Sequence, residues 1–377
     1  MSWGRAEIVI ELPAIRHNVR VLRDHTGVDV MTVVKADGYG HGIVPAGRAA
    51  REGGATWLGV ATIDEALVLR EGGDTGRVLC WLGVPGEDYA AAIAADVDVT
   101  VYSEAELSEV VAAAAAAAAA GTARVQIKVD TGLSRGGAAR QDWHDLFAVA
   151  ADLEREGRIQ ITGIWSHFAC SDEPDHPAND AQQAAFEDAL ALAASAGLEP
   201  EVRHLANSAA AILRPSSHYD LVRCGIASYG LDPAPGHTPD LGLLPAMTVL
   251  ARLALTKEVA AGDGVSYGHT WHADRPTRVG LVPVGYGDGV PRHAGNRAEV
   301  LVGETRRPVR GRVCMDQFLA EVGPGDDAGD LVMLFGSGQL GEPTAQDWAE
   351  WCDTISYEIV TRIGGRFVRR YNDEATR

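Results

Sequence analysis

Short apolar runs rich in β-branched residues alternate with amphipathic stretches over the first two-thirds of the chain. Residues 28–34 form such a run, which ends in a glycine-rich turn before a helical pattern over 43–52. Further runs fall at 57–60, 78–82, 97–101, 125–129, 159–165, 202–205 and 221–223. Helical patterns lie between them, at 62–71, 88–95, 143–156, 179–196 and 207–213, and one starting at 103 continues through the alanine run 112–120. Thr62-Ile63-Asp64-Glu65 and Ser103-Glu104-Ala105-Glu106 each read as a capping box, with a hydroxyl at the helix start and a carboxylate three residues on. Strands that are apolar almost throughout, with helices between them, are the mark of a parallel sheet covered on both faces. About eight such units in ~220 residues fit a closed (β/α)8 barrel. A doubly wound open sheet is the alternative that counting leaves standing.

The pattern changes across 230–245, a segment rich in glycine, proline and aspartate that reads as a linker or corner. Strand patterns follow at 248–259, 278–283, 298–302, 306–310, 317–322 and 330–335, punctuated by glycine and proline, with two late helices at 344–351 and 354–362. This predicts a mostly-β module, a small barrel or sandwich with helical decoration. The expected organisation is a barrel over 1–240 and a C-terminal mostly-β domain over 241–377.

Composition narrows the function classes. With 46% hydrophobic and 23% charged residues, the chain has a soluble globular profile, which leaves no place for wholesale disorder or a coiled coil. No apolar run approaches the ~20 residues that cross a bilayer. The formal charge of −19 argues against general binding to nucleic acid or to an anionic membrane, both of which call for basic surfaces. The first residues lack the basic stretch and apolar core of a secretory leader, and the five cysteines are widely spaced with no C-x-x-C pair. A reducing, cytoplasmic setting is therefore expected, with neither a disulfide framework nor structural zinc.

The segment Val33-Val34-Lys35-Ala36-Asp37-Gly38-Tyr39-Gly40-His41-Gly42 carries the most chemistry. It puts a lysine at the C-terminal end of the first barrel strand, the end at which barrel active sites sit. A lysine partly desolvated there can form an imine, and the glycines allow an anion to approach the backbone closely. An ordinary surface lysine beside a tight turn is the plainer reading of the same residues. A dinucleotide-binding loop is a further reading, but the spacing is not G-x-G-x-x-G.

This segment closely resembles the pyridoxal-phosphate attachment motif of the alanine racemase family, and the resemblance recurs in order along nearly the whole chain. It implies a (β/α)8 barrel followed by a β domain, with the first short strand, about 7–10, joining the C-terminal domain. It implies that Lys35 holds pyridoxal 5'-phosphate as an aldimine and then acts as a base on one face of the cofactor. Val265-Ser266-Tyr267-Gly268 matches the motif of the opposite base, so Tyr267 is the second catalytic residue, donated to the partner's site in a homodimer. Racemisation needs two acid–base groups on opposite faces of a planar carbanion, which makes the pairing chemically sensible.

The same resemblance assigns the remaining site. Arg223, in Leu221-Val222-Arg223-Cys224-Gly225-Ile226, matches the arginine facing the pyridine nitrogen, and His204 matches the residue that hydrogen-bonds it. An arginine there can only donate, so the ring nitrogen stays unprotonated and side reactions such as transamination are restrained. Tyr39, Ser208, the backbone of Gly225 and Ile226, and Tyr371 match the phosphate-binding set, and His167 matches the histidine beside the ring. Taken alone, Ser208 would read as a helix cap. Arg135 matches the arginine near the phenolic oxygen and the substrate carboxylate, and Lys128 a lysine that is carbamylated in some members. Met315, in Cys314-Met315-Asp316, matches the backbone donor to the substrate carboxylate, and Tyr286 a tyrosine of the entry gate. The chain departs from the family at Gly287, where alanine is frequent, and at Leu133, where methionine is common. No metal is expected, although Asp172, Glu173, Asp175 and His176 crowd one polar loop.

The implied reaction is reversible racemisation of L- and D-alanine, supplying D-alanine for peptidoglycan. A racemase that also takes serine is the near alternative. A pyridoxal-phosphate-dependent amino-acid decarboxylase of barrel-plus-β type is more distant, since those enzymes place a carboxylate where Arg223 stands. A non-catalytic pyridoxal-phosphate-binding barrel would lack the β domain and Tyr267.

Overall fold

The barrel strands begin where β-branched and aromatic residues cluster. In the computed structural model, which describes residues 4–116 and 122–374, the first strand β1 (Ala6–Glu11) stands apart from them. The barrel strands are β2 (Asp29–Val33), β3 (Trp57–Val60), β4 (Arg77–Cys80), β5 (Asp98–Val101), β6 (Ala123–Lys128), β7 (Ile159–Trp165), β8 (Val202–His204) and β9 (Leu221–Cys224). Each pairs in parallel with the next from β2 to β8, and β9 pairs with β2. The β8/β9 seam is drawn shut by two backbone bonds, Asp220 N–H to the Arg203 carbonyl (3.1 Å) and Arg223 N–H to the Ala206 carbonyl (3.0 Å). The result is a nearly closed eight-stranded parallel barrel, and the open doubly wound sheet is excluded.

Side chains fill the barrel. Met31, Trp57, Leu79, Trp165, Val202 and Leu221 form one buried cluster, against which Trp81 packs. At the N-terminal ends of the strands the filling turns ionic. The fully buried Asp98 carboxylate accepts from Arg77 Nη2 (2.7 Å), Arg124 Nε (2.9 Å) and Thr162 Oγ1 (2.6 Å).

Two compact units account for the chain: Ile15–Gly38 with Gly42–Leu243, and Met1–Ala14 with Tyr39–His41 and Leu244–Arg377. The second unit is built on a nine-stranded sheet. Its strands are β10 (Met247–Arg252), β11 (Leu255–Val259), β14 (Thr277–Val282), β15 (Glu299–Val302), β16 (Thr305–Arg310), β17 (Phe318–Glu321), β18 (Leu331–Phe335) and β19 (Val368–Asn372), together with β1. β12 (Gly264–Val265) and β13 (Trp271–His272) form a separate small hairpin. β1 lies between β10, antiparallel to it, and β19, parallel to it.

Several local expectations need correction. The run 248–259 is two strands, because Leu253 N–H turns to the Asp330 carbonyl and Ala254 N–H to the Leu281 carbonyl, so the chain changes neighbours there. β19 stands outside the predicted strand series, although the basic cluster Arg366, Arg369 and Arg370 by itself reads as a solvated strand face. Its pattern is too polar for a core strand, and it is held by pairing with β1 and by Arg370 Nε on the Glu7 carboxylate (2.6 Å). The capping box at Thr62 forms in full. At Ser103 only half of it forms: the hydroxyl accepts from Glu106 N–H (3.2 Å), but the Glu106 carboxylate takes the Tyr102 N–H instead. That helix is described over Glu104–Ala116, and the alanines at 117–120 lie outside the described residues. Among the described residues no helix is long and apolar enough to cross a membrane.

Candidate active site

Lys35 follows β2 after one residue, Val34, and opens a tight turn that winds left-handed. Ala36 (φ 53°), Asp37 (φ 54°), Gly38 (φ 63°) and Tyr39 (φ 53°) all lie in the positive-φ region. Only glycine adopts that region freely, at a cost of about 1–2 kcal/mol for each other residue. Fixed partners hold the strain in place. Glu65 Oε1 accepts from Ala36 N–H (2.7 Å) and Asp37 Oδ1 from Ile43 N–H (2.8 Å). The second Glu65 oxygen accepts from Ala61 N–H (2.8 Å), so one carboxylate ties the ends of β2 and β3 together. Lys35 Nζ lies 5.8 Å from the Trp81 ring centroid. Burial, with Arg135 and Arg223 nearby, holds its amine below the usual lysine range despite the opposing pull of Glu65.

The C-terminal ends of β6 to β9 bring more positive charge to this end of the barrel. Lys128 Nζ lies 4.7 Å from the Trp165 ring and 5.5 Å from the Tyr102 ring. Burial and then Arg223 and Arg135 push this amine down to about 8. Arg223 is buried, and both of its terminal nitrogens meet neutral acceptors. Nη1 meets His204 Nδ1 (3.0 Å), while Nη2 meets the Ser166 carbonyl (2.8 Å), His167 Nδ1 (3.1 Å) and the Leu205 carbonyl (3.1 Å). Burial lowers the guanidinium to about 9, which leaves it charged at neutral pH. Burial and the neighbouring Arg223 hold both His167 and His204 well below the usual histidine range, so both imidazoles are neutral. Arg135 stands exposed on the loop after β6.

Ser208 does not cap its helix. Asn207 does, accepting from Ala210 N–H (3.1 Å), while Ser208 Oγ accepts from Gly225 N–H (2.9 Å) and links the starts of the segments after β8 and β9. Ile226 is buried at the head of the 3-10 turn Ile226–Tyr229. His176 caps a helix as well, through Nδ1 to Ala178 N–H (3.1 Å). Among the described residues no three His, Cys, Asp or Glu side chains form a metal-holding group.

The β unit carries the second set. Tyr267, Tyr286, Cys314, Met315 and Asp316 line one cavity of about 620 Å³. Tyr267 is 71% exposed, an extreme value for a tyrosine among strands. The Met315 loop is held by backbone bonds from Tyr286 N–H to the Cys314 carbonyl (3.0 Å) and from Gly287 N–H to the Met315 carbonyl (2.8 Å). Arg366 ties it down further, forking onto the buried Asp288 (2.7 and 2.8 Å) and reaching Asp316 (2.6 Å). Burial alone would raise the Asp288 carboxyl, but the Arg366 fork and the Gly285 N–H outweigh it and hold the group below the usual range. Tyr39 is buried in this unit, its ring 6.2 Å from that of Tyr357, and Tyr371 is exposed on β19.

The structure thus groups Lys35, Lys128, His167, His204, Ser208, Arg223, Gly225 and Ile226 on the barrel, and Tyr267, Tyr286 and Met315 on the β unit. Sequence reasoning missed Glu65, Gln126, Trp165 and the Asp288–Arg366 pair. Glu65 leaves a signal as the carboxylate of a capping box, and Arg366 as one of a basic cluster near the C-terminus.

Known proteins match this arrangement end to end. Residues 10–233 fit the family model for the N-terminal domain of alanine racemase, and residues 246–371 the model for its C-terminal domain. The alanine racemase of Frankia casuarinae is 54% identical over 373 residues, covering 97% of this chain and 96% of that one. The Thermobifida fusca alanine racemase is 54% identical over 370 residues, covering 97% and 98%. The crystal structure of alanine racemase from D-cycloserine-producing Streptomyces lavendulae superimposes with a TM-score of 0.97 at 50% identity, covering 100% of this chain and 99% of that one. Domain models on both units and identity above half along nearly the whole length leave one assignment: the chain belongs to the alanine racemase family.

Proposed function

We propose that this chain interconverts L- and D-alanine with pyridoxal 5'-phosphate held by Lys35. The observation that carries the reading is the setting of Arg223: a buried guanidinium bonded to two neutral histidines and two carbonyls, with no carboxylate hydrogen-bonded to it among the described residues. A decarboxylase calls for a carboxylate at that position to keep the pyridine nitrogen protonated. The pocket suits the cofactor on its own chemistry. Lys35, Lys128, Arg135 and Arg223 gather positive charge that a phosphate and a phenolate would neutralise, and burial shifts the Lys35 amine below the usual lysine range, in the direction that favours a nucleophilic free base.

When bound, the cofactor supplies an electron sink that acidifies the substrate Cα–H. Lys35 Nζ then takes or returns that proton on one face, and Tyr267 Oη of the partner subunit does so on the other. One proton leaves Cα and one returns on the opposite side, so nothing is oxidised or reduced. The exposure of Tyr267 supports a homodimer in which this side chain is finished by a second copy. Tyr39, Ser208, Gly225, Ile226 and Tyr371 hold the phosphate, and Arg223 donates to the ring nitrogen. His204 and His167 flank that arginine, Arg135 and the Met315 N–H hold the substrate carboxylate, and Tyr286 narrows the entry. An amine lowered to about 8 is also the state of Lys128 that adds carbon dioxide, forming an N–C bond and releasing a proton, and the carbamate so formed would orient Arg135. Five free cysteines suit a cytoplasmic enzyme, whose D-alanine would feed peptidoglycan.

Chiral chromatography of purified protein with L-alanine and added pyridoxal phosphate tests the assignment, with D-alanine as the expected product. No D-alanine would overturn it. Faster turnover of serine than of alanine would move the substrate, and carbon dioxide release from a basic amino acid would restore the decarboxylase.

A further inference from the structure

Arg223 has only donors to offer, so whatever it touches must accept. His204 Nδ1, 3.0 Å from Nη1, is therefore the unprotonated nitrogen of a neutral ring. The ring proton then sits on Nε2, which faces the side-chain amide of Gln126 at 2.7 Å. That contact requires the amide oxygen, and the orientation of Gln126 follows. Hydrogen bonds thus run one way through the barrel, from Arg223 to His204 to Gln126.

The end of this chain is costly to build. Gln126 is fully buried, and its Nε2 has no hydrogen-bond partner among the described residues. A buried amide N–H left unpaired is a destabilising feature that a methionine of similar volume would avoid. The backbone also bends to accommodate it. A Cβ on Gly163 would lie 2.6 Å from Gln126 Cδ, and the β6/β7 register slips between Val125 and Gln126, bringing Gln126 opposite Gly163. Trp165 stacks on the His204 ring at 5.5 Å and 7° and fixes its plane. An orphaned amide, a glycine that makes room for it and a register slip all converge on one side chain.

We infer that Gln126 is a positioning residue that sets the tautomer of His204 and so keeps Arg223 in place as the donor to the cofactor's ring nitrogen. This rests on the proposed function. The chemistry demands a neutral acceptor. With a glutamate at 126, the carboxylate would stabilise a doubly protonated His204, whose Nδ1–H would then point a donor at a donor. Arg223 would lose its Nη1 anchor and keep only those on Nη2, so its hold on the ring nitrogen would loosen, that nitrogen could take a proton, and transamination would rise. Arg223 is the charged group acting on His204, and no carboxylate is hydrogen-bonded to the ring among the described residues. A carboxylate at 126 would therefore dominate its protonation.

The test is to compare Gln126→Glu and the near-isosteric Gln126→Met with the unaltered protein. Nitrogen-15 NMR of labelled histidines in the cofactor-free protein reads His204 without relying on activity. The unaltered protein should show a neutral ring protonated at Nε2 across neutral pH, and Gln126→Glu an imidazolium. In the loaded enzyme, the ratio of transamination to racemisation should rise by about tenfold or more in Gln126→Glu, with KM for alanine little changed. Gln126→Met, which removes the acceptor and adds no charge, should speed exchange of the His204 N–H and raise the ratio less. Should the glutamate variant fail to fold, the methionine variant decides alone. A His204 signal and a ratio identical to those of the unaltered protein would overturn the inference, as would a changed tautomer with an unchanged ratio. A protein that makes no D-alanine would defeat the proposed function instead, leaving the NMR result readable.

Discussion

Adding one methyl group at Gly285 should disable the substrate loop. A Cβ there would lie 2.2 Å from the Cys314 carbonyl oxygen and 2.5 Å from that of Met315. Both are backbone atoms, so no rotamer change relieves the clash. Gly285 has little room to retreat, because its N–H is bonded to Asp288 Oδ2 (3.1 Å), a buried carboxylate gripped by Arg366. The Cys314–Met315 backbone must move by about 1 Å, straining the bonds from Tyr286 and Gly287, and a displacement of that size at a substrate-positioning group costs on the order of 100-fold. This corresponds to about 2.7 kcal/mol of transition-state stabilisation. Gly287→Ala is the internal control. Its Cβ would meet the Met315 carbonyl oxygen at 3.1 Å and Met315 Cγ at 3.3 Å, a fit that a small shift accommodates, so it should stay within about threefold. Both variants would be assayed for kcat and KM in each direction, with a thermal melt to check folding. A Gly285→Ala enzyme within threefold of the unaltered kcat/KM, or equal damage from Gly287→Ala, would refute the argument.

Three other outcomes follow. Tyr267→Phe should lower racemisation by about 10²–10⁴-fold while cofactor absorbance persists, and full activity would end the two-base assignment. Asp98→Ala leaves Arg77 and Arg124 facing each other across the barrel base. Because both reach solvent in part, the loss should fall near the low end for a broken buried pair, about 3 kcal/mol, read from urea unfolding, and a loss below about 1 kcal/mol would mean that the pair contributes little. Burial and the neighbouring arginines push the Lys128 amine down to about 8 in the folded chain, from the usual lysine range that it keeps when unfolded. The unfolded chain therefore binds more protons between those values, and stability should rise with pH above about 8 relative to Lys128→Met. A constant difference between the two across pH 7 to 10 would contradict the shift.

The eight barrel strands were legible because their runs of Val, Ile and Leu pack on both faces, which leaves a continuous apolar signature in local sequence. The helix start at Thr62 was legible for a similar reason, since cap and carboxylate lie within one turn. β19 shows only as a polar, basic strand face with no apolar signature, because Val368–Asn372 owes its extended form to β1, more than 350 residues earlier in the chain, and to the Glu7–Arg370 pair. The fold class, a (β/α)8 barrel with a mostly-β second unit, is the one observed. The candidate site is legible through resemblance to a family, residue by residue. Gln126 escaped because an interior glutamine leaves no pattern; its meaning lies in a donor direction set 97 positions away at Arg223. The strain beside Lys35 escaped as well. A glycine-rich stretch predicts a turn, but not that Ala36, Asp37 and Tyr39 would share the left-handed conformation.

That turn has a consequence for anyone who engineers this enzyme. Ala36→Gly would relieve the Cβ penalty at φ 53°, less the extra chain entropy that glycine gives up on folding, for a net gain of up to about 1 kcal/mol. A screen for heat tolerance would thus favour glycine immediately after the lysine. The same change would widen the orientations open to Lys35 Nζ, whose precision the non-glycine turn enforces. Selection for durability and selection for turnover would pull this one position in opposite directions.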